Sequence, residues 1–193
     1  MIKRMFWILA LVGLLAACNP TQQQNQFHAT DISAVDFGQT LALTDHTGKP
    51  RTLADFKGKV IVLFFGYTHC PDVCPTTMAD LKQTMKLLGN RADELQVLFA
   101  TLDPERDKQD VLAQYVPNFD SRFIGLFGSK AQTEKVIKDF KLYAAKVEST
   151  GRGGYTIDHS AGTYIFDKTG KLRLYVDYGQ KPDLLAADIQ QLL

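Results

Sequence analysis

Val60-Ile61-Val62-Leu63-Phe64-Phe65 is apolar without a break and rich in β-branched and aromatic side chains. Such a run reads as a strand buried on both faces in the middle of a sheet. It passes directly into Gly66-Tyr67-Thr68-His69-Cys70-Pro71-Asp72-Val73-Cys74-Pro75. From near Thr76 the pattern is helical, with Met78, Leu81, Met85 and Leu88 on one face and a stop at Gly89-Asn90. A buried strand that hands over to a helix requires a sheet covered by helices. Here the hand-over carries two cysteines. Free backbone N–H groups and the helix dipole favour negative charge at such a point, so a stabilised thiolate of lowered pKa is expected. A thiolate is the form that attacks disulfides and the form that binds metals.

The rest of the chain supplies the sheet and its cover. Phe37 to Leu53 alternates around a Thr47-Gly48 turn and reads as a hairpin. Leu95 to Leu102 is a second buried strand, and Asp103 with Pro104 reads as the N-cap and first residue of a helix using Val111, Leu112, Tyr115 and Val116. A short strand at Phe123–Phe127, a helix at Lys130–Phe140 and a strand at Leu142–Val147 follow. The glycine-rich stretch from Glu148 to Tyr155 reads as a mobile loop or hairpin tip, and Asp158-His159-Ser160-Ala161-Gly162 as a loop leading into a strand at Thr163–Asp167. A turn at Lys168-Thr169-Gly170, a strand at Lys171–Val176 and a helix opened by Pro182 close the chain. The expected fold is an α/β sandwich, a central mixed sheet flanked by helices with an N-terminal hairpin extension. Sites in such sheets form at the carboxyl ends of strands, where Cys70 and Asp103 both fall.

The first residues are of another kind. Lys3 and Arg4 precede an apolar run, Met5 to Ala17, which is shorter than the ~20 residues that span a bilayer. It ends in Leu15-Ala16-Ala17-Cys18, which resembles a bacterial lipobox. Residues 1–17 are therefore expected to be a lipoprotein signal peptide. Cys18 would be the lipidated N-terminus, residues 18–30 a flexible tether, and residues 31–193 one domain. This implies export and a lipid anchor on a bacterial membrane, inner or outer, facing the periplasm. The chain has 3 cysteines; with Cys18 lipidated, Cys70 and Cys74 remain. A disulfide this local closes a tiny loop and adds little stability, so a reactive or metal-binding pair is the stronger reading. The formal charge of +1 and the absence of basic runs point away from nucleic acid.

A strand, paired cysteines and a helix resemble the thioredoxin superfamily, with two departures. Three residues separate the cysteines, and Ala161-Gly162 stand where thioredoxins carry a proline. Three stretches in order are similar instead to the Sco/SenC family: Gly66 to Pro75, Leu102-Asp103-Pro104-Glu105-Arg106-Asp107, and Asp158 to Tyr164. That resemblance covers roughly Val35 onward. It implies a thioredoxin-like domain and a membrane-tethered copper protein needed to assemble the binuclear copper centre of cytochrome c oxidase. Cys70, Cys74 and His159 correspond to the family's copper ligands. Two thiolates and an imidazole form a soft donor set suited to Cu(I) and tolerant of Cu(II), whereas a structural zinc takes a fourth ligand.

Around these three, Asp72, Asp103 and Asp158 are candidates for a supporting role. Asp158 is placed to orient His159, and Asp72 is expected to raise the cysteine pKa values. His69 reads as structural, and Met78 and Met85 as core. The implied function is a copper metallochaperone whose partner is a copper-accepting oxidase subunit or another periplasmic copper or thiol protein. Its alternatives are a thiol–disulfide oxidoreductase, with Cys70 and Cys74 catalytic, that reduces the oxidase subunit's cysteines, and a copper or redox sensor or oxidative-stress protein.

Overall fold

The computed structural model describes residues 27–148 and 154–193. Within them the chain runs β1 (Thr30–Asp31), β2 (Ala42–Asp45), β3 (Pro50–Thr52), β4 (Val60–Gly66), α1 (Val73–Leu88), β5 (Leu95–Thr101), α2 (Gln109–Tyr115) and β6 (Ile124–Phe127). It continues through α3 (Lys130–Asp139), β7 (Ala144–Glu148), β8 (Tyr155–His159), β9 (Thr163–Phe166), β10 (Leu172–Val176) and α4 (Pro182–Gln190). The expected signal peptide, Cys18 and most of the expected tether lie outside the described residues. Of the tether's last residues, Ala29 is buried, and the backbone N–H groups of His28 and Ala29 each donate to the buried Asp188 carboxylate at 2.8 Å.

Eight strands form one sheet in the order β1-β10-β9-β4-β5-β6-β2-β3. β4 runs parallel to β5 and antiparallel to β9, so the sheet is mixed, with the apolar hexapeptide at its centre. All of β4 and β5 is buried. Their side chains alternate between two cores. Val60, Val62 and Phe64 face Met78, Leu81 and Met85 of α1 and Ile189 of α4, while Ile61, Leu63 and Phe65 face Val136 and Phe140. Each such side chain contributes about 1.5–3 kcal/mol by leaving water. The two methionines are core, as their spacing implies. The β2–β3 hairpin extends the sheet edge through β6.

Three local expectations change. α1 starts at Val73 rather than near Thr76, because Pro75 falls in the first turn, where its missing N–H is not needed; Gly89 at φ +55° ends the helix. Asp103 caps no helix: α2 begins only at Gln109, and Asp103 is drawn into the protein by Arg106 and Tyr155. The strand expected from Leu142 is β7, and it does not join the main sheet. It pairs only with β8, which absorbs Asp158 and His159 into a strand where a loop was expected.

Candidate metal centre

β4 delivers the cysteine loop, and its last residue has to be small. A Cβ on Gly66 would lie 2.8 Å from Cys74 Sγ and 3.0 Å from the Phe99 ring. Cys74, in the first turn of α1, is fully buried, whereas Cys70 is half-buried at the surface. The two are not joined in a disulfide. The backbone N–H of Cys74 donates to Cys70 Sγ at 3.4 Å, so the outer sulfur rests on the helix N-terminus.

The buried carboxylate of Asp107 ties this loop down. It accepts from the Thr68 N–H at 2.9 Å, from Thr68 Oγ1 at 2.6 Å and from Thr101 Oγ1 at 2.6 Å. It therefore joins the cysteine loop to the end of β5.

The ribbon of β7 and β8 brings His159 in from the other side. His159 Nε2 stands 3.7 Å from Cys74 Sγ, and Nδ1 lies 2.8 Å from the backbone carbonyl of Ser160. A carbonyl only accepts, so the proton is assigned to Nδ1 and the Nε2 lone pair faces the sulfur. The Tyr67 ring packs against the imidazole in a T-shaped arrangement, with 6.0 Å between centroids. Burial pushes the His159 pKa below its ordinary 6.5, which keeps the ring neutral and able to ligate.

The spacing fits a shared metal ion. Bonds of about 2.3 Å to sulfur and 2.0 Å to nitrogen, as zinc makes, would set the two donors ~3.7 Å apart at trigonal angles. Among the described residues no three His, Cys, Asp or Glu side chains are yet close enough to hold a metal together. The sulfur–imidazole pair is in place; Cys70, turned onto the helix, is not.

Electrostatics at Cys74 run against the lowered pKa expected for a thiol at a helix start. Burial is the largest influence and pushes Cys74 well above its ordinary 9.0, with Cys70 and the Asp107 charge adding to the rise. Desolvation outweighs the dipole because the sulfur lies inside the core. The carboxylate that bears on Cys74 is thus Asp107. Asp72 is exposed at the start of α1, where its backbone carbonyl accepts from the Thr76 N–H at 3.1 Å. Asp158 is exposed on β8, pairs across the ribbon with Ala145, and acts on His159 only through its charge.

Asp103 is 1% exposed at the end of β5. Burial pushes its carboxyl up, but the hydrogen bonds from Tyr155 Oη and Arg106 Nε and the guanidinium charge outweigh that and hold it below the ordinary range. The His69 side chain is half exposed, its Nδ1 3.1 Å from Thr68 Oγ1 and 3.8 Å from Asp107 Oδ1.

Between the cysteine loop and the ribbon lies an open groove of about 340 Å³, lined by Tyr67, Cys70, Asp72, Ile157, Asp158 and His159 among others. Both ends of it carry motifs visible in the sequence, in which no separate role attaches to Asp107, Arg106 or Tyr155. For the first two the signal was present in Asp103-Pro104-Glu105-Arg106-Asp107; for Tyr155 there was none.

Fold and site together define a thioredoxin-like domain in which the inner of two thiols faces a neutral imidazole. Residues 29–193 match the SCO1/SenC family, and the chain belongs to it. The mitochondrial SCO2 homolog of Danio rerio is 39% identical over 138 residues, 70% of this chain and 48% of that protein, so the chain spans about half that relative's length. The copper-bound structure of ScoI from Bradyrhizobium japonicum is 38% identical, with a TM-score of 0.75 over 82% of this chain and 100% of that one. The solution structure of apo Sco1 from Thermus thermophilus is 34% identical, with a TM-score of 0.77 over 89% and 99%.

Proposed function

We propose that this protein is a copper metallochaperone that carries copper as cargo on Cys70, Cys74 and His159 and serves assembly of the binuclear copper centre of cytochrome c oxidase. The observation that carries this reading is the Cys74–His159 pair, 3.7 Å apart with the proton on the far side of the ring. Copper in the Bradyrhizobium japonicum relative supports it. Thiolates favour Cu(I), and a three-donor set leaves the ion open to an incoming ligand. Cys74 and His159 are the fixed ligands, and binding displaces the Cys74 proton that burial otherwise retains. Cys70, half-buried at the groove, is the ligand that swings in to close the set and out to release it. An acceptor thiolate entering the groove replaces Cys70 first, so the ion is never free.

The same proposal includes the leader. Residues 1–17 direct export, Cys18 is lipidated, and the following polar residues tether the domain at a bacterial membrane facing the periplasm, close to a membrane-held oxidase subunit. A second reading, a thiol–disulfide oxidoreductase acting on that subunit's cysteines, rests on Cys70, which has the exposure and the helix N–H of an attacking thiol.

Copper titration of the reduced domain, followed by transfer to a copper-free oxidase subunit, tests the first reading. One equivalent bound by the wild type, lost in the Cys70→Ser/Cys74→Ser variant and weakened in His159→Ala, is the expected result. Disulfide reduction that survives His159→Ala, with no specific copper binding, would establish the second reading instead.

A further inference from the structure

Tyr155, Ile157 and His159 alternate along β8 and so lie on one face of the strand. Each has its own anchor in the body of the protein. Ile157 is buried in the core beside α1, His159 faces Cys74, and Tyr155 meets the turn that follows β5. That turn grips Tyr155 in several ways. The Arg106 guanidinium lies over the Tyr155 ring at 3.7 Å from its centroid, and Arg106 Nη1 donates to the Tyr155 carbonyl at 2.9 Å. Tyr155 Oη donates to Asp103 Oδ1 at 2.7 Å, and Arg106 Nε donates to the other oxygen of the same carboxylate. From the second strand, Lys146 Nζ donates to Glu105 Oε2 at 2.6 Å and sits 4.3 Å from the Tyr155 ring centroid. The guanidinium also lies 5.8 Å from the Tyr67 ring, which in turn supports His159.

Among the described residues the ribbon makes no backbone ladder with the main sheet. Apart from its chain connections to α3 and β9, side-chain contacts therefore set its position. A strand fixed only at Ile157 could pivot there, and a shift of one residue would turn His159 to the opposite face. Two points fix a direction. We infer that Arg106 and Tyr155 form a clasp that holds the ribbon in register and thereby places His159 on Cys74, making both of them positioning residues for copper. The clasp touches no donor atom and acts only through the imidazole. The inference rests on the copper reading above for its consequence, while the clasp itself is a property of the copper-free protein.

The test is a double-mutant cycle on the reduced domain. Arg106→Gln and Tyr155→Phe are each made in the wild type and in His159→Ala, and Cu(I) affinity is measured by competition with a chromogenic chelator. In the wild-type background Arg106→Gln should lower affinity about ten- to a hundredfold, as loss of an outer partner of a metal ligand does. Tyr155→Phe, which keeps the ring and loses only the hydroxyl, should lower it less. In the His159→Ala background neither should lower it further. The thiolate-to-Cu(II) absorption of Arg106→Gln should shift toward that of His159→Ala.

Equal losses in both backgrounds would overturn the inference, since the residues would then act on the sulfurs or on the fold. Amide exchange of the copper-free protein separates this from the copper reading. Faster exchange confined to Thr156–His159 in Arg106→Gln supports the clasp even where copper binds nothing, and unchanged exchange there removes it.

Discussion

Cys74 Sγ and His159 Nε2 face each other across 3.7 Å, although 85 residues separate them in the chain. Neither was brought there by the other. Cys74 is held by the first turn of α1 over Gly66, and His159 by a ribbon that packs on the same end of the sheet. The meeting of a buried sulfur with a neutral imidazole leaves the second sulfur, Cys70, nearer solvent. The two cysteines are chemically unlike despite their shared motif.

That difference should appear in stability before any metal is added. Cys74→Ser places a hydroxyl in a site of zero exposure and should cost about 1–3 kcal/mol. Cys70→Ser, half-buried at the groove, should stay within about 0.5 kcal/mol. Thermal unfolding of the two reduced, metal-free variants checks this. Equal falls in Tm would refute the assignment of inner and outer sulfur.

Gly66 is a gauge of how tightly the inner sulfur is held. An alanine Cβ would sit 2.8 Å from Cys74 Sγ and 3.1 Å from the Phe64 ring, and both neighbours are fixed by the core. Gly66→Ala should therefore cost about 1–3 kcal/mol as an overpacked core position and alter the copper–thiolate absorption. An unchanged spectrum would mean that the strand, not the cysteine, gives way.

The central sheet was legible in the sequence because its signal is local. Val60–Phe65 is a continuous apolar run and Leu95–Leu102 is apolar apart from Gln96 and Thr101, and short runs rich in β-branched and aromatic residues read as strands buried on both faces. The candidate site was marked in the sequence by residue types, Cys70, Cys74 and His159, of which the structure brings Cys74 and His159 together. What escaped depends on distance. β8 carries Tyr155 and Asp158 on alternate faces next to a glycine-rich stretch, so its pattern gives no strand signal until β7 pairs with it. Asp103-Pro104 has the composition of a helix start, but Arg106 and Tyr155 compete for the carboxylate and the helix is delayed to Gln109. The helix dipole was visible from sequence, while the depth of Cys74 was not, and depth decides its pKa.

Asp107 holds the cysteine loop from below, and its removal should act on the loop first. Asp107→Ala leaves the Thr68 N–H and the Thr68 and Thr101 hydroxyls without their acceptor, which should cost about 1–3 kcal/mol. Asp107→Asn keeps one acceptor oxygen and should cost less. Amide exchange at Thr68 and Cys70 should speed up more than exchange in the strands. Uniform acceleration across the domain would make Asp107 a general stability residue rather than a loop anchor.

The pH dependence of the metal-free domain follows from the two facing groups. Cys74 has its pKa raised by burial, so the folded state keeps a proton that the unfolded chain releases near the ordinary value of 9.0. The folded state then binds more protons, and stability falls as pH rises above about 9. The hydroxyls of Tyr115, Tyr155 and Tyr164, raised chiefly by burial, act in the same direction at higher pH. His159 has its pKa lowered by burial, so its contribution is complete above the ordinary 6.5 and is lost as pH falls through the folded value. Stability should therefore be greatest between about 6.5 and 9. Urea unfolding across pH, with Cys74→Ala alongside, checks the alkaline side. Removing the thiol should remove the fall that begins near pH 9 while leaving the tyrosine-driven fall at higher pH. A fall of the same size and midpoint in Cys74→Ala would assign the alkaline loss to other groups and place the Cys74 sulfur in a more hydrated setting than its burial implies.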